Sequence, residues 1–259
     1  MKAAPRRSRV LDKMRAGKKA ISYKINLGCP RAVEIAAMSG FDCVWICQEH
    51  VPTDHATMEA QILAAKAFDT DIIVRVAKGS YSDFIRPLEA DATGIMVPHL
   101  MSAEEARKIA RTTRFQPIGL RPVDGGNADG MFCMLPFGEY IKFANENRMV
   151  IVQIEDPEAT EQLEEICQVP GIDMIFFGPG DYSHAIGDPG NISSPEIVRV
   201  RKLVVETAHR YGKFAGTVSG GSRCLREFYD LGYDFINVGA DVAAIGANCD
   251  AIIKEFEAM

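Results

Sequence analysis

Eight short runs rich in apolar residues recur along the chain, and between them the apolar positions repeat at helical spacing. The runs are Ala20–Leu27, Phe41–Cys47, Ile72–Val76, Gly94–Val97, Met149–Ile154, Ile172–Phe177, Lys213–Val218 and Phe235–Val238. Several are apolar throughout rather than alternating, as in strands covered on both faces of a parallel sheet. The intervening segments predict helices over 5–17, Arg31–Met38, Ala56–Phe68, Ser82–Glu89, Phe137–Asn147, Ser194–Tyr211, Ser222–Leu231 and Val242–Glu257. Asp54 is placed to cap one of these, and Ser102 with Glu105 forms a capping box for a further helix running to Thr113. Ala159, Leu163, Ile166 and Val169 mark another helical stripe. Eight strands in regular βα alternation exceed the usual doubly wound sheet and predict an α/β fold, one closed (β/α)8 (TIM) barrel over residues 1–259. A short helix precedes the barrel and a long one ends the chain.

One stretch breaks the rhythm, from Phe115 to Leu135, containing GLRPVDGGNADG. A loop of this length in a compact domain is usually functional or disordered. It does not follow a strand and open a helix in the manner of a phosphate-binding loop.

Composition narrows the classes. A net charge of −6, with no basic stripe interleaved with aromatics, argues against nucleic acid as a partner. The basic N-terminus is not followed by the apolar segment a secretory signal needs, and no run reaches the ~18 apolar residues of a membrane span. Seven cysteines without CxxC spacing fit reduced thiols and a cytoplasmic location. Asn191–Ile192–Ser193 is a glycosylation triplet with nothing to route it to secretion.

In a barrel of this kind chemistry collects at the C-terminal ends of the strands. Those ends carry Lys24, Glu49 and His50, Arg75, His99, Glu155, Asp181 and Ser219. Glu155 and Asp181 close consecutive strands, so the two carboxylates can converge as a divalent-metal pair; their plain alternative is helix capping. Arg75 interrupts an apolar strand, where a guanidinium needs an anionic partner, either a core carboxylate or a substrate. His50 alone is as easily a loop residue, and Glu49 beside it is placed to orient its neighbours. His99, after Pro98, reads as structural or as a rim contact, and His55, His184 and His209 as bystanders.

The chain resembles the HpcH/HpaI family of metal-dependent (class II) 2-oxo acid aldolases. The likeness is carried in order by GFDCVW, EH at 49–50, VRV around Arg75, VP at 97–98, VQIE at 152–155, GPGD at 178–181 and VGAD at 238–241. It implies a pyruvate-type (β/α)8 barrel that reversibly cleaves a 4-hydroxy-2-oxo acid to pyruvate, or hydroxypyruvate, and an aldehyde. It further implies a homo-hexamer, a trimer of dimers with exchanged C-terminal helices. Its motifs assign Mg2+, Mn2+ or Co2+ to Glu155 and Asp181, the base to His50 and enolate support to Arg75. Gln153, Gly178, Pro179 and Gly180 fall to substrate binding. Four positions depart from the family pattern. Cys47 stands where an aspartate is frequent, and Glu89 where an aspartate polarises the histidine. Lys24 replaces a tryptophan near the substrate, and GLRPVDGGNADG replaces an arginine-rich segment.

On this reading the metal acts as a Lewis acid, Arg75 supports the developing charge, and His50, polarised by Glu89, takes the 4-hydroxyl proton. Lys24 and Arg121 are candidate substrate contacts, Arg121 for an acidic substrate end, with Asp124, Asn127 and Asp129 lining the acceptor side. Three other readings stay open. Lys24 could form a Schiff base, the chain could be a lyase of CoA thioesters, or it could bind a 2-oxo acid with metal without turning it over.

Overall fold

The computed structural model describes residues 4–259. Eight strands pair in chain order, all parallel, and β8 closes on β1. They are β1 Ala20–Ile25, β2 Cys43–Cys47, β3 Asp71–Arg75, β4 Gly94–Val97, β5 Met149–Ile154, β6 Met174–Phe177, β7 Phe214–Ser219 and β8 Phe235–Ala240. The helices are α1 Arg9–Arg15, α2 Pro30–Met38, α3 His55–Lys66, α4 Tyr81–Glu89, α5 Ala103–Thr113, α6 Phe137–Asn147, α7 Pro157–Glu161, α8 Leu163–Cys167, α9 Pro179–Ala185, α10 Pro195–Arg210, α11 Leu225–Leu231 and α12 Asp241–Glu257. None is long and apolar enough to cross a membrane among the described residues.

Side chains alternate in and out along each strand, which divides the apolar residues into two cores. Outward residues such as Val44, Ile72, Val74, Ile95, Val152 and Ile175 pack beneath the helices. Inward residues Ala20, Cys43, Trp45, Ile73, Met96, Met149, Ile151, Met174, Phe176 and Phe235 fill the barrel. Gly216 on β7 makes room for this filling, because a Cβ there would lie 2.6 Å from the Phe176 ring and 2.8 Å from Met174 Sδ.

The N-terminal end of the barrel is plugged. Val10, Leu11 and Met14 of α1 are buried against the inward core. Asp71, at the foot of β3, accepts hydrogen bonds from Ser8 Oγ at 2.6 Å and from the backbone N–H groups of Arg9 and Val10. The same end holds a buried ion pair between Arg148 and Asp91 and a partly buried one between Arg114 and Asp173.

Several elements differ from the pattern reading. The first helix is shorter, because Ser8 caps it. The stripe at 159–169 forms two short helices that break at Gln162, and Ser222–Cys224 is a separate 3-10 turn before α11. Gly178–Pro179–Gly180–Asp181, for which the apolar pattern predicts no helix, opens α9, with Pro179 at a position where its missing N–H costs nothing. The capping box at α5 is half formed: Ser102 Oγ accepts the Glu105 N–H, but Glu105 Oε2 takes the N–H of Met101.

The long loop lies at the plugged end rather than at the rim. It leaves α5 at Arg114, whose side chain donates to the carbonyl of Arg148, just before β5. Inside it, Arg121 Nη2 donates to Asp129 Oδ2 at 2.7 Å, and Tyr140 Oη donates to the same oxygen at 2.8 Å. Both charged side chains are almost wholly buried, and Phe115, Tyr140 and Ala144 form a small core beside them. At the other extreme, α12 projects from the barrel. Its first residue, Asp241, accepts the N–H groups of Asn26 and Leu27, and every residue from Val242 onward is exposed.

Replacing Gly216 with alanine forces a methyl group into the filled interior. We expect a loss of about 1–3 kcal/mol, the usual cost of overpacking, read as a lower thermal midpoint. An unchanged midpoint would mean that the barrel interior is looser than described here.

Candidate active site at the C-terminal rim

Alternation along the strands turns Lys24, Trp45, Cys47, Arg75 and Gln153 into the barrel near its open end. The residues just past β5 and β6 complete the rim. Glu155 follows β5 and is buried. It is held by two donors, the backbone N–H of His99 to Oε1 at 2.8 Å and Gln153 Nε2 to Oε2 at 2.9 Å. Gly178 opposes it. A side chain at Gly178 would place its first carbon 2.6 Å from Glu155 Oε2. The glycine therefore clears space for Glu155, whereas Gly180 faces open space and Pro179 is buried.

Asp181 sits exposed in the first turn of α9, near enough for its charge to act on Glu155. Burial lifts the Glu155 carboxyl to about 7, and the like charge of Asp181 adds to the rise, although the His99 N–H and the charges of His99 and Arg75 oppose it. His99 Nδ1, 3.8 Å from Glu155 Oε1, and the more distant Arg75 supply positive charge, but burial outweighs it. Glu155 and Asp181 are the pair that could hold a divalent cation, with coordination positions left for water or substrate. Among the described residues no third His, Cys, Asp or Glu joins them in a ligand group.

The cationic side is built on β2 and β3. The Arg75 guanidinium donates to Cys47 Sγ from Nε at 3.3 Å and from Nη2 at 3.2 Å. Its Nε also lies 3.0 Å from Glu49 Oε2. The N–H directions favour the sulfur, leaving the Glu49 contact ionic rather than a formed hydrogen bond. Glu49 is thus the core carboxylate that Arg75 required. The same carboxylate lies 3.4 Å from His50 Nε2 and 3.6 Å from His99 Nε2. The His50 side chain is more than half exposed on the rim. Lys24 Nζ and the Arg75 guanidinium both lie over the Trp45 ring, at 4.9 and 5.1 Å from its centre.

His99 is more than a rim contact. Its backbone adopts φ of +48°, rare for a residue with a side chain, and this conformation accompanies the N–H donated to Glu155. Its Nδ1 lies 2.9 Å from Asp156 Oδ2. Burial pulls the imidazole down, but the Asp156 hydrogen bond and the charges of Glu155, Asp156 and Glu49 outweigh it and raise the pKa. A histidine between Pro98 and a leucine carries no pattern that would reveal this. The one available signal was the adjacency of Glu155 and Asp156 on the next strand.

Two predicted residues are not brought to the rim within one chain. Glu89 is the last residue of α4, which descends toward the plugged end. The charges acting on it belong to Arg121, Asp129, Asp124 and Arg86, and burial raises its pKa. It does not polarise His50 in the chain described here. Arg121 is spent in its buried pair with Asp129 and does not reach a substrate at the rim of its own barrel. The expectation that Asp124, Asn127 and Asp129 line this rim fails for the same reason, since their loop is at the opposite end.

Comparison with known proteins gives a consistent result. The sequence model described as HpcH/HpaI aldolase/citrate lyase matches residues 25–246. A pyruvate aldolase of Rhizobium etli is 31% identical, with 94% of this chain aligned to 95% of that protein. A 4-hydroxy-2-oxo-heptane-1,7-dioate aldolase of Klebsiella pneumoniae is 30% identical over 95% of this chain and 92% of its own length. The crystal structure of an HpcH/HpaI aldolase from Desulfitobacterium hafniense superposes with a TM-score of 0.90 at 26% identity, covering 96% of both chains.

The raised Glu155 sets a pH dependence for cation binding. Below about 7 the carboxyl is protonated, so a proton competes with the cation; above it the site is free to bind. Titration calorimetry with Mn2+ should find affinity falling about tenfold per pH unit below 7 and levelling off above it. A flat profile from pH 5.5 to 8 would remove Glu155 from the cation site.

Proposed function

The chain belongs to the HpcH/HpaI aldolase/citrate lyase family, and we propose that it is a carbon–carbon lyase cleaving a 4-hydroxy-2-oxo acid to pyruvate, or hydroxypyruvate, and an aldehyde. The observation that carries this reading is Glu155, a buried carboxylate held by the His99 N–H and the Gln153 amide on the rim it shares with Asp181. Mg2+, Mn2+ or Co2+ bound to Glu155 and Asp181 would supply Lewis acidity toward the keto oxygen of a 2-oxo acid.

The chain's own residues supply the rest. Gln153 and the His99 N–H fix the Glu155 carboxylate, and Gly178 leaves it room. Gly178, Pro179 and Gly180 present backbone at the start of α9, whose N-terminus favours the substrate's carboxylate. In the cleavage direction His50 accepts the 4-hydroxyl proton as the aldehyde carbonyl forms and the C3–C4 bond breaks. The electron pair moves to the keto oxygen, giving the enolate of pyruvate. Arg75, held in place by Cys47 and Glu49, opposes that charge with a fixed cation. Glu49, at 3.4 Å from His50, is the carboxylate of the same chain able to steady the base. Protonation at C3 then completes pyruvate.

Turnover should disappear on EDTA treatment and return with Mn2+ or Mg2+ but not with buffer alone, assayed on a panel of 4-hydroxy-2-oxo acids. Cleavage that persists in EDTA would overturn the metal reading.

We also propose that α12 belongs to a neighbouring copy's barrel. Val242, Ile245, Ile252, Ile253 and Phe256 are exposed along it at helical spacing, an apolar stripe left uncovered by the described residues. Beside its root lies an apolar cavity of about 380 Å³, lined by Tyr23, Ile25, Ala36, Phe41 and Ile245 among others. Exchange of α12 between two copies would cover both, and three such dimers would give the hexamer that the family resemblance implies. All seven cysteines are unpaired, as reduced thiols in the cytoplasm are, and we place the protein there. Ile252→Asp should lower the mass measured by light scattering. A wild-type chain already monomeric at micromolar concentration would refute the exchange.

A further inference from the structure

We propose that Lys24 selects substrates carrying a carboxylate in addition to that of the 2-oxo acid itself. This rests on the aldolase reading of the rim and goes on to name the substrate class the rim accepts.

Lys24 projects into the barrel from β1, beside Trp45 in the β1–β2 register. Its ammonium lies 4.9 Å from the Trp45 ring centre and makes no hydrogen bond or ion pair among the described residues. The ring face offsets part of the cost of bringing an ammonium inward, but it leaves the N–H donors unused. Arg75 shares that ring and differs in this respect, since its donors already face Cys47 and Glu49. Lys24 is therefore the inward cation with donors to spare. Burial and the charge of Arg75 both lower its pKa, partly offset by Cys47, Glu49 and Asp181, so an arriving anion gains from holding the amine protonated.

Topology sets this cation across the mouth from Glu155, although the charge of Asp181 still reaches it. In an eight-stranded closed barrel β1 stands four strands from β5 in either direction, so Lys24 faces Glu155 across the mouth. A 2-oxo acid engaged at β5 and β6 presents its own carboxylate there, and the group that meets Lys24 is at the other end of the substrate. One ammonium matches one monoanion. A phosphate dianion would bring a second charge toward Glu49 and Asp181, both of which already act on Lys24. The chemistry that fits is a carboxylate, carried either by the donor or by the aldehyde.

Two substrate pairs distinguish those sources, each differing by one carboxylate. Glyoxylate and acetaldehyde serve as acceptors with pyruvate, read as kcat/KM. The oxo acids 2-oxoglutarate and 2-oxopentanoate serve on the donor side, read as binding by calorimetry in Mn2+. In Lys24→Met the carboxylate-to-neutral ratio should fall about 10- to 100-fold in one pair, the size of a lost charge-assisted hydrogen bond. Lys24→Arg should retain most of the ratio, which controls for misfolding of the methionine variant. The proposal is overturned if the ratio is unchanged in both pairs, or if borohydride traps a substrate adduct on Lys24. Should the wild type turn over no pair while calorimetry still separates the two oxo acids, the aldolase reading fails and Lys24 stands. Turnover without discrimination between pair members defeats Lys24 alone.

Discussion

The rim is organised around the burial of one carboxylate. Removing Glu155 from water is expensive unless donors and positive charge replace the hydration it loses. The chain provides two donors, and each shapes the backbone near it. Supplying the His99 N–H accompanies a left-handed conformation just after Pro98, and supplying Gln153 places an amide two residues before the acid on the inward face of β5. Gly178 is then obligatory, because any side chain there collides with the carboxylate. These features on β4, β5 and β6 follow from one requirement. The positive charge of His99 and Arg75 does not offset burial at Glu155, and a divalent cation of the kind its family binds would be a natural complement.

The opposite wall of the mouth solves the mirror problem. Arg75 and Lys24 bring two cations over one indole, where Trp45 provides a polarisable face but no anion. Arg75 is tethered by Cys47 and Glu49, so its position is set before substrate arrives. A preorganised cation avoids reorganisation when negative charge develops in the reaction, and this is the main physical advantage of such sites. Glu49 connects the walls, reaching Arg75, His50 and His99 at once. Cys47 on this chain thus serves as an acceptor for the guanidinium.

Much of this was legible in the sequence because strand periodicity is a local property. The eight strands, and the convergence of Glu155 and Asp181 on one rim, follow from apolar runs and the parallel βα rule without any long-range information. The demand of Arg75 for an anion was likewise readable from IIVRV, and Glu49 meets it. Two kinds of placement are not legible in the sequence. His99 was undervalued because its role lies in its backbone, and no residue pattern signals a left-handed histidine. Glu89 rests on the family pattern, and Arg121 on its place in the long loop. Their placement depends on where α4 ends and on how a loop folds back on itself, and helical periodicity does not encode either.

The fate of charge at the two ends of the barrel separates structural from chemical residues better than residue type does. At the plugged end Arg148 meets Asp91, Arg114 meets Asp173, Arg121 meets Asp129, and Asp71 accepts three donors around Ser8. Each of these charges has a partner within the chain, as expected where its purpose is to hold segments together, although burial still raises the carboxyls of Asp71 and Asp129. At the open end burial outweighs the charges of His99 and Arg75 at Glu155, and Lys24 has donors over an indole that no described residue accepts from. Such imbalance costs stability in the empty site, and a folded chain retains it only if something else completes the pairing. A cation on one side of the mouth and a substrate carboxylate on the other would neutralise both walls together. With the proposed metal and substrate in place, the two would bind cooperatively, since each offsets a charge whose field the other also feels.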